Sequence, residues 1–156
     1  MRTRAKVAGH AVHPMLVILP LGLFGISVVF DVLGLLTSQP LWSRLALWNV
    51  AAGVVSAIIT AGFGLADLRA IPTGTRAARG GLAHGLLNTS VTGLFAVSLV
   101  LRALEPAHGP PPTLAVGLSI AGLALVLIAG RLGGELMDRL GAPLRSGASR
   151  GYGHHR

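Results

Sequence analysis

Four apolar runs, about Pro14–Leu36, Leu45–Ala66, Leu82–Leu101 and Thr113–Leu132, constrain this 156-residue chain more than any other feature. Each holds about 20 to 23 residues, enough at ~1.5 Å per residue to cross a ~30 Å hydrocarbon core. A soluble bundle needs a polar face on every helix, and these runs carry at most a narrow stripe. With 52% of residues hydrophobic and 12% charged, the chain reads as a four-span membrane protein. The first run follows Arg2, Arg4 and Lys6 as a signal peptide would, but its length and the lack of a small-residue cleavage site mark a retained span. The absence of cysteine excludes disulfides, thiolate iron–sulfur ligation and a CxxCH haem attachment within this chain.

Sliding the chain by 71 residues aligns it with itself without a gap. His13 falls on His84, Gly22-Leu23-Phe24 on Gly93-Leu94-Phe95, Ser27 on Ser98, Pro40 on Pro111, Asp67 on Asp138 and Pro72 on Pro143. From Gly9 to Pro72, 16 of 64 positions are identical, against roughly 6 by chance in so Leu-, Gly- and Ala-rich a chain. Two spans return the chain to its starting side, so the halves point the same way across a bilayer. The expected fold is all-α: a four-span transmembrane helical bundle made of two tandem, parallel-oriented helical hairpin repeats. The sequence divides into a basic cytoplasmic N-terminus (residues 1–8), a membrane domain (9–141, with repeats 9–72 and 80–143) and a basic disordered tail (142–156).

The net charge of +8 is distributed by side. Arg2, Arg4 and Lys6 precede the first span, Arg69, Arg76 and Arg79 fall in the Arg69–Gly81 linker, and five arginines lie in the C-terminal part. Only Arg44 and Arg102 fall to the other side. This positive-inside pattern places both termini in the cytoplasm and favours anionic lipid headgroups. No nucleic-acid-reading motif accompanies the charge.

Polar stripes mark the inward faces. His10, His13, Val17, Pro20, Phe24, Ser27 and Asp31 form a 3-4 seam on the first span. Asn49, Gly53, Ser56, Thr60, Gly64 and Asp67 do so on the second, and His84, Asn88 and Thr92 repeat at four on the third. Small and hydroxyl residues in such rows serve close helix packing first, and Pro20 is expected to kink its helix. His10, His13, Asp67, His84, Glu135 and Asp138 gather at the cytoplasmic boundary, while Asp31 lies near the opposite face.

Three readings stand for the histidines. Hydrogen bonds His13–Asp67 and His84–Asp138 would each pin one hairpin. Alternatively, His13 and His84, at equal depth on different helices, would be axial ligands of a b-type haem on the repeat axis, passing electrons. In the third, His10, His13, His84 and Asp67 would hold a non-haem divalent metal. No HExxH, Walker loop, GxSxG or dinucleotide fingerprint is present, and no serine has an adjacent base on its face. The leading reading is a redox-associated membrane protein, without independent catalytic activity, that binds haem b through His13 and His84 and passes electrons; the alternative is a structural or transport-associated component.

The segments Gly9-His10-Ala11-Val12-His13-Pro14, Pro20-Leu21-Gly22-Leu23, Asp31, Gly64 to Asp67, His84 to Asn88 and Gly133-Gly134-Glu135-Leu136 occur in that order. Over about residues 9–141 the chain resembles a bacterial "predicted membrane protein" family that carries only a domain-of-unknown-function label. The family often has proline where Ala11 stands and an aromatic residue where Asp138 stands. The resemblance implies a multi-pass inner-membrane protein with the lipid bilayer as its surroundings. Some relatives are joined to Rieske-type or cytochrome c domains, which implies redox partners of that kind.

Overall fold

The computed structural model describes the backbone of residues 6–7, 10–104 and 110–141, and the side chains of residues 15–104 and 110–128. Four helices make the fold: α1 (Val12–Thr37), α2 (Pro40–Arg69), α3 (Arg76–Ala103) and α4 (Thr113–Gly141). They contain 26, 30, 28 and 29 residues, or about 39–45 Å each, so every one can cross a bilayer. The first three are apolar enough for a span over their described length. In α4 the apolar stretch with described side chains is Thr113–Ile128. The all-α membrane bundle expected from the four runs is therefore what the chain forms.

Before α1, Lys6–Val7 (β1) pairs antiparallel with His10–Ala11 (β2). His10 thus stands outside the helix, and the expected His10–His13 helical face does not exist. Pro14 explains the start at Val12. In the first turn it gives up no hydrogen bond, whereas a helix begun earlier would set its ring against the carbonyl of residue 10. Further on, α1 continues unbroken through Pro20. At its other end, Ser38 adopts a left-handed conformation (φ 54°) and donates its N–H to the Gly34 carbonyl. Gln39 then leads into Pro40 at the first position of α2, where a missing N–H is harmless.

The linker between the hairpins is shorter than the Gly/Arg-rich composition suggests. Only Ala70–Thr75 lie outside helices, because Thr75 caps α3 by accepting from the Ala78 N–H (3.1 Å). Arg76 and Arg79 are thereby exposed residues of the first turns of α3. The longer α3–α4 connection follows from Pro110-Pro111-Pro112, which no helix can continue through.

Around the bundle, α1 packs on α2, α2 on α3, α3 on α4, and α4 more lightly on α1. The diagonal pair α1 and α3 meets through side chains at the centre. There Phe24 and Phe95 stack face to face, 3.9 Å between centroids and 6° apart in plane. Each ring also lies against a glycine of its own hairpin. A Cβ on Gly53 would stand 2.5 Å from Phe24, and one on Gly122 would stand 2.7 Å from Phe95. The rings leave each other no room to retreat, so Gly53→Ala is expected to cost about 1–3 kcal/mol by overpacking. Gly22→Ala, whose Cβ would meet nothing within 4 Å, should leave the melting temperature of the detergent-solubilised protein unchanged.

Among the described residues, the buried ones concentrate toward the α1–α2 and α3–α4 connections. They include Phe24, Ser27 and Asp31 of α1, Ala46 to Thr60 of α2, Val91 to Arg102 of α3 and Ala115 to Gly122 of α4. The α1 seam from Pro20 to Asp31 is buried as its spacing predicts. On α3 the inward row runs from half-buried Asn88 to buried Val91, Phe95, Ser98 and Arg102. Thr92 departs from it because strict fours drift off a 3.6-residue turn, and His84, in phase with the row, is exposed nearer the helix start.

Candidate functional site

The polar centre of the described molecule lies at the connection end. Arg102, next to last in α3, extends across the bundle to Asp31 on α1. Its Nη1 donates to Asp31 Oδ1 at 2.6 Å and its Nη2 to Asp31 Oδ2 at 2.7 Å. The side chains are 3% and 0% exposed. Two parallel N–H···O bonds between planar groups are the strongest geometry open to this pair.

The second hairpin holds the guanidinium from behind. Arg102 Nε donates to Ser98 Oγ (3.1 Å), one turn back on α3, and Nη2 also donates to Ser119 Oγ of α4 (3.2 Å). Ser98 passes its own proton to the Ala115 carbonyl (2.8 Å), which leaves Ser119 to donate to Ser98 at 2.9 Å. The network closes with one proton per hydroxyl. Among the described residues, no buried side-chain nitrogen or oxygen lacks a partner. Ser27, Ser56 and Thr60 return their hydroxyls to carbonyls of their own helices. The cluster has no net charge, which is what permits two ions to sit inside a membrane bundle.

Arg102 is thus not the loop charge that the sequence suggests. Asp31, expected near the far face, does lie near the connections, six residues before the end of α1. The signal that could have joined them is the 71-residue self-match, which sets Arg102 on Asp31 as it sets Ser98 on Ser27.

The histidine cluster is at the other end. His84 is exposed on α3, and its Nε2 accepts from Asn88 Nδ2 (2.8 Å), which also reaches the His84 carbonyl (3.0 Å). Asp67 is half-buried in the last turn of α2, with its carbonyl capping Ala70. The backbone puts His10 on β2 and His13 in the first turn of α1. The side chains of His10, His13, Glu135 and Asp138 lie outside the described residues, and so do the expected His13–Asp67 and His84–Asp138 pairs. Among the described residues, no three His, Cys, Asp or Glu side chains form a metal-binding group. His84 is the one imidazole whose side chain is described, and its Nε2 is engaged by Asn88.

No curated protein and no solved structure matches the chain. A family model does match, over residues 9–144, which include all four helices. The chain belongs to the family described as Predicted membrane protein (DUF2231).

Proposed function

We propose that the chain is a non-catalytic module of the bacterial inner membrane whose polar core serves assembly of the bundle rather than chemistry. The observation that carries this reading is the Asp31–Arg102–Ser98–Ser119 cluster. Four guanidinium N–H bonds and both serine protons are consumed inside the protein. A group that works on a substrate keeps a lone pair or proton directed at a cavity. These groups are directed at one another.

Both termini are assigned to the cytoplasm. Supporting this, Arg102 is neutralised by Asp31 within the bundle, which leaves Arg44 as the lone cation near the α1–α2 connection against eleven on the other side. A reporter fused after Arg156 should behave as cytoplasmic, and one inserted at Gly109 as external. The opposite pattern would overturn the orientation.

Electron transfer through a haem b held by His13 and His84 is the competing reading. It rests on their equal depth in the sequence repeat, and ligation through His84 Nε2 would replace its contact with Asn88. An absorption spectrum of the detergent-purified protein separates the two. Assembly without a cofactor predicts no Soret band at full protein yield. A band that sharpens on dithionite reduction and is lost in His84→Ala would replace the assembly reading with the redox one.

A further inference from the structure

The residues that join the hairpins stand at matching positions of the two halves. Phe24, Ser27 and Asp31 on α1 keep the same 3-4 spacing as Phe95, Ser98 and Arg102 on α3, and the bridging pair is 71 residues apart. The supporting helices match as well. Gly53 lies under Phe24 as Gly122 lies under Phe95. These two glycines are 69 residues apart rather than 71. At the centre, then, each hairpin presents to the other a phenylalanine seated over a glycine. Phe meets Phe, and a hairpin meeting a copy of itself would find the same aromatic partner. The one position where twins differ in sign is Asp31 and Arg102.

We propose that this position makes the two hairpins a selective pair: the face of the second hairpin accepts a hairpin bearing a carboxylate at this depth and rejects one bearing an arginine. Two first hairpins would bring two carboxylates into a site that is 0% exposed at Asp31, and two second hairpins would bring two guanidiniums. Like charges held there have no water to separate them, so mispairing is penalised far more than on a surface. The unlike pair alone is neutral. Selectivity is built into one side in advance. Ser98 and Ser119 both belong to the second hairpin and fix Arg102 with its fork directed outward, so the first hairpin need supply only the carboxylate. The buried pair thus specifies which hairpins associate, the role for which buried polar groups are best attested. This inference rests on the assembly reading above and adds the identity of the partner.

The test uses the full chain with a protease site placed at Gly74, an exposed turn glycine with φ 78° in the connection between hairpins. The protein is purified in detergent and then cut. Cut wild-type fragments should co-elute in equal amounts. When two cut preparations with differently tagged first hairpins are mixed, the unlike pair should exceed the like pair about tenfold or more. Asp31→Arg should separate the fragments, and Asp31→Arg combined with Arg102→Asp should rejoin them. Asp31→Leu combined with Arg102→Leu is the telling variant, because it keeps apolar packing and removes the sign. Its fragments should stay associated, and first hairpins should now capture one another. Wild-type first hairpins capturing one another as readily as second hairpins would overturn the selectivity while leaving the assembly role intact. Exclusive unlike pairing in the Leu/Leu variant would do the same. Separation of the wild-type fragments would overturn the assembly role and the selectivity together.

Discussion

Asp31→Leu is expected to destabilise the bundle by about 3–5 kcal/mol, a large share of the ~5–15 kcal/mol that holds a folded protein together. The cause is less the loss of two hydrogen bonds than the state of Arg102 afterwards. Its guanidinium would remain buried against Ser98 and Ser119 with a full positive charge and no counter-ion. Arg102→Leu leaves the mirror problem, a carboxylate with no donor. Removing both charges together is a different perturbation, and Asp31→Leu with Arg102→Leu should lie near wild type. Reversible unfolding in mixed micelles checks all three, with the double variant expected to unfold well after either single one.

Phe95→Ala should come second, at about 3 kcal/mol, the low end for such a truncation. Lipid is as apolar as the bundle interior, so the transfer part of the usual cost is small, and the loss is of packing. That loss is concentrated. Phe95 is fully buried, stacks on Phe24 and fills the depression over Gly122. Its removal would leave Phe24 facing a void on the line joining the diagonal helices. An exposed apolar residue of the same helix, such as Val97→Ala, should shift the unfolding midpoint little, since it faces lipid in either state. Equal effects of the two substitutions would contradict the placement of the core.

Much of this was legible in the sequence where a physical period repeats over several turns. Seam residues Pro20, Phe24, Ser27 and Asp31 follow a 3-4 rhythm long enough to fix a face, and that face is buried. On α3 the row His84, Asn88, Thr92 spans only two turns, too few to distinguish a spacing of four from the 3-4 alternation that continues to Arg102. The helix boundaries were harder to read. Arg76 and Arg79 resemble linker residues in composition, yet one cap at Thr75 and the space at Gly81 that admits Leu68 bring them into a helix. Arg102 was hidden by its sign, because an arginine near a span end is normally a loop charge. A partner 71 residues away is visible only when the self-match is followed through positions that differ as well as those that agree. The histidines stand out by chemistry, but no period fixes their orientation. His84 proves to be engaged within its own helix by Asn88.

The most direct measurement of the central claim, that Asp31 and Arg102 bind one hairpin to the other, is a double-mutant cycle on these two residues. Unfolding free energies are taken for wild type, Asp31→Leu, Arg102→Leu and the double variant in the same micelles. A direct buried pair predicts that the double loss falls short of the sum of the single losses by about 3 kcal/mol or more, the coupling of residues in contact. Losses that add within about 0.5 kcal/mol would mean that the two side chains do not meet. The clasp between the hairpins would then be wrong.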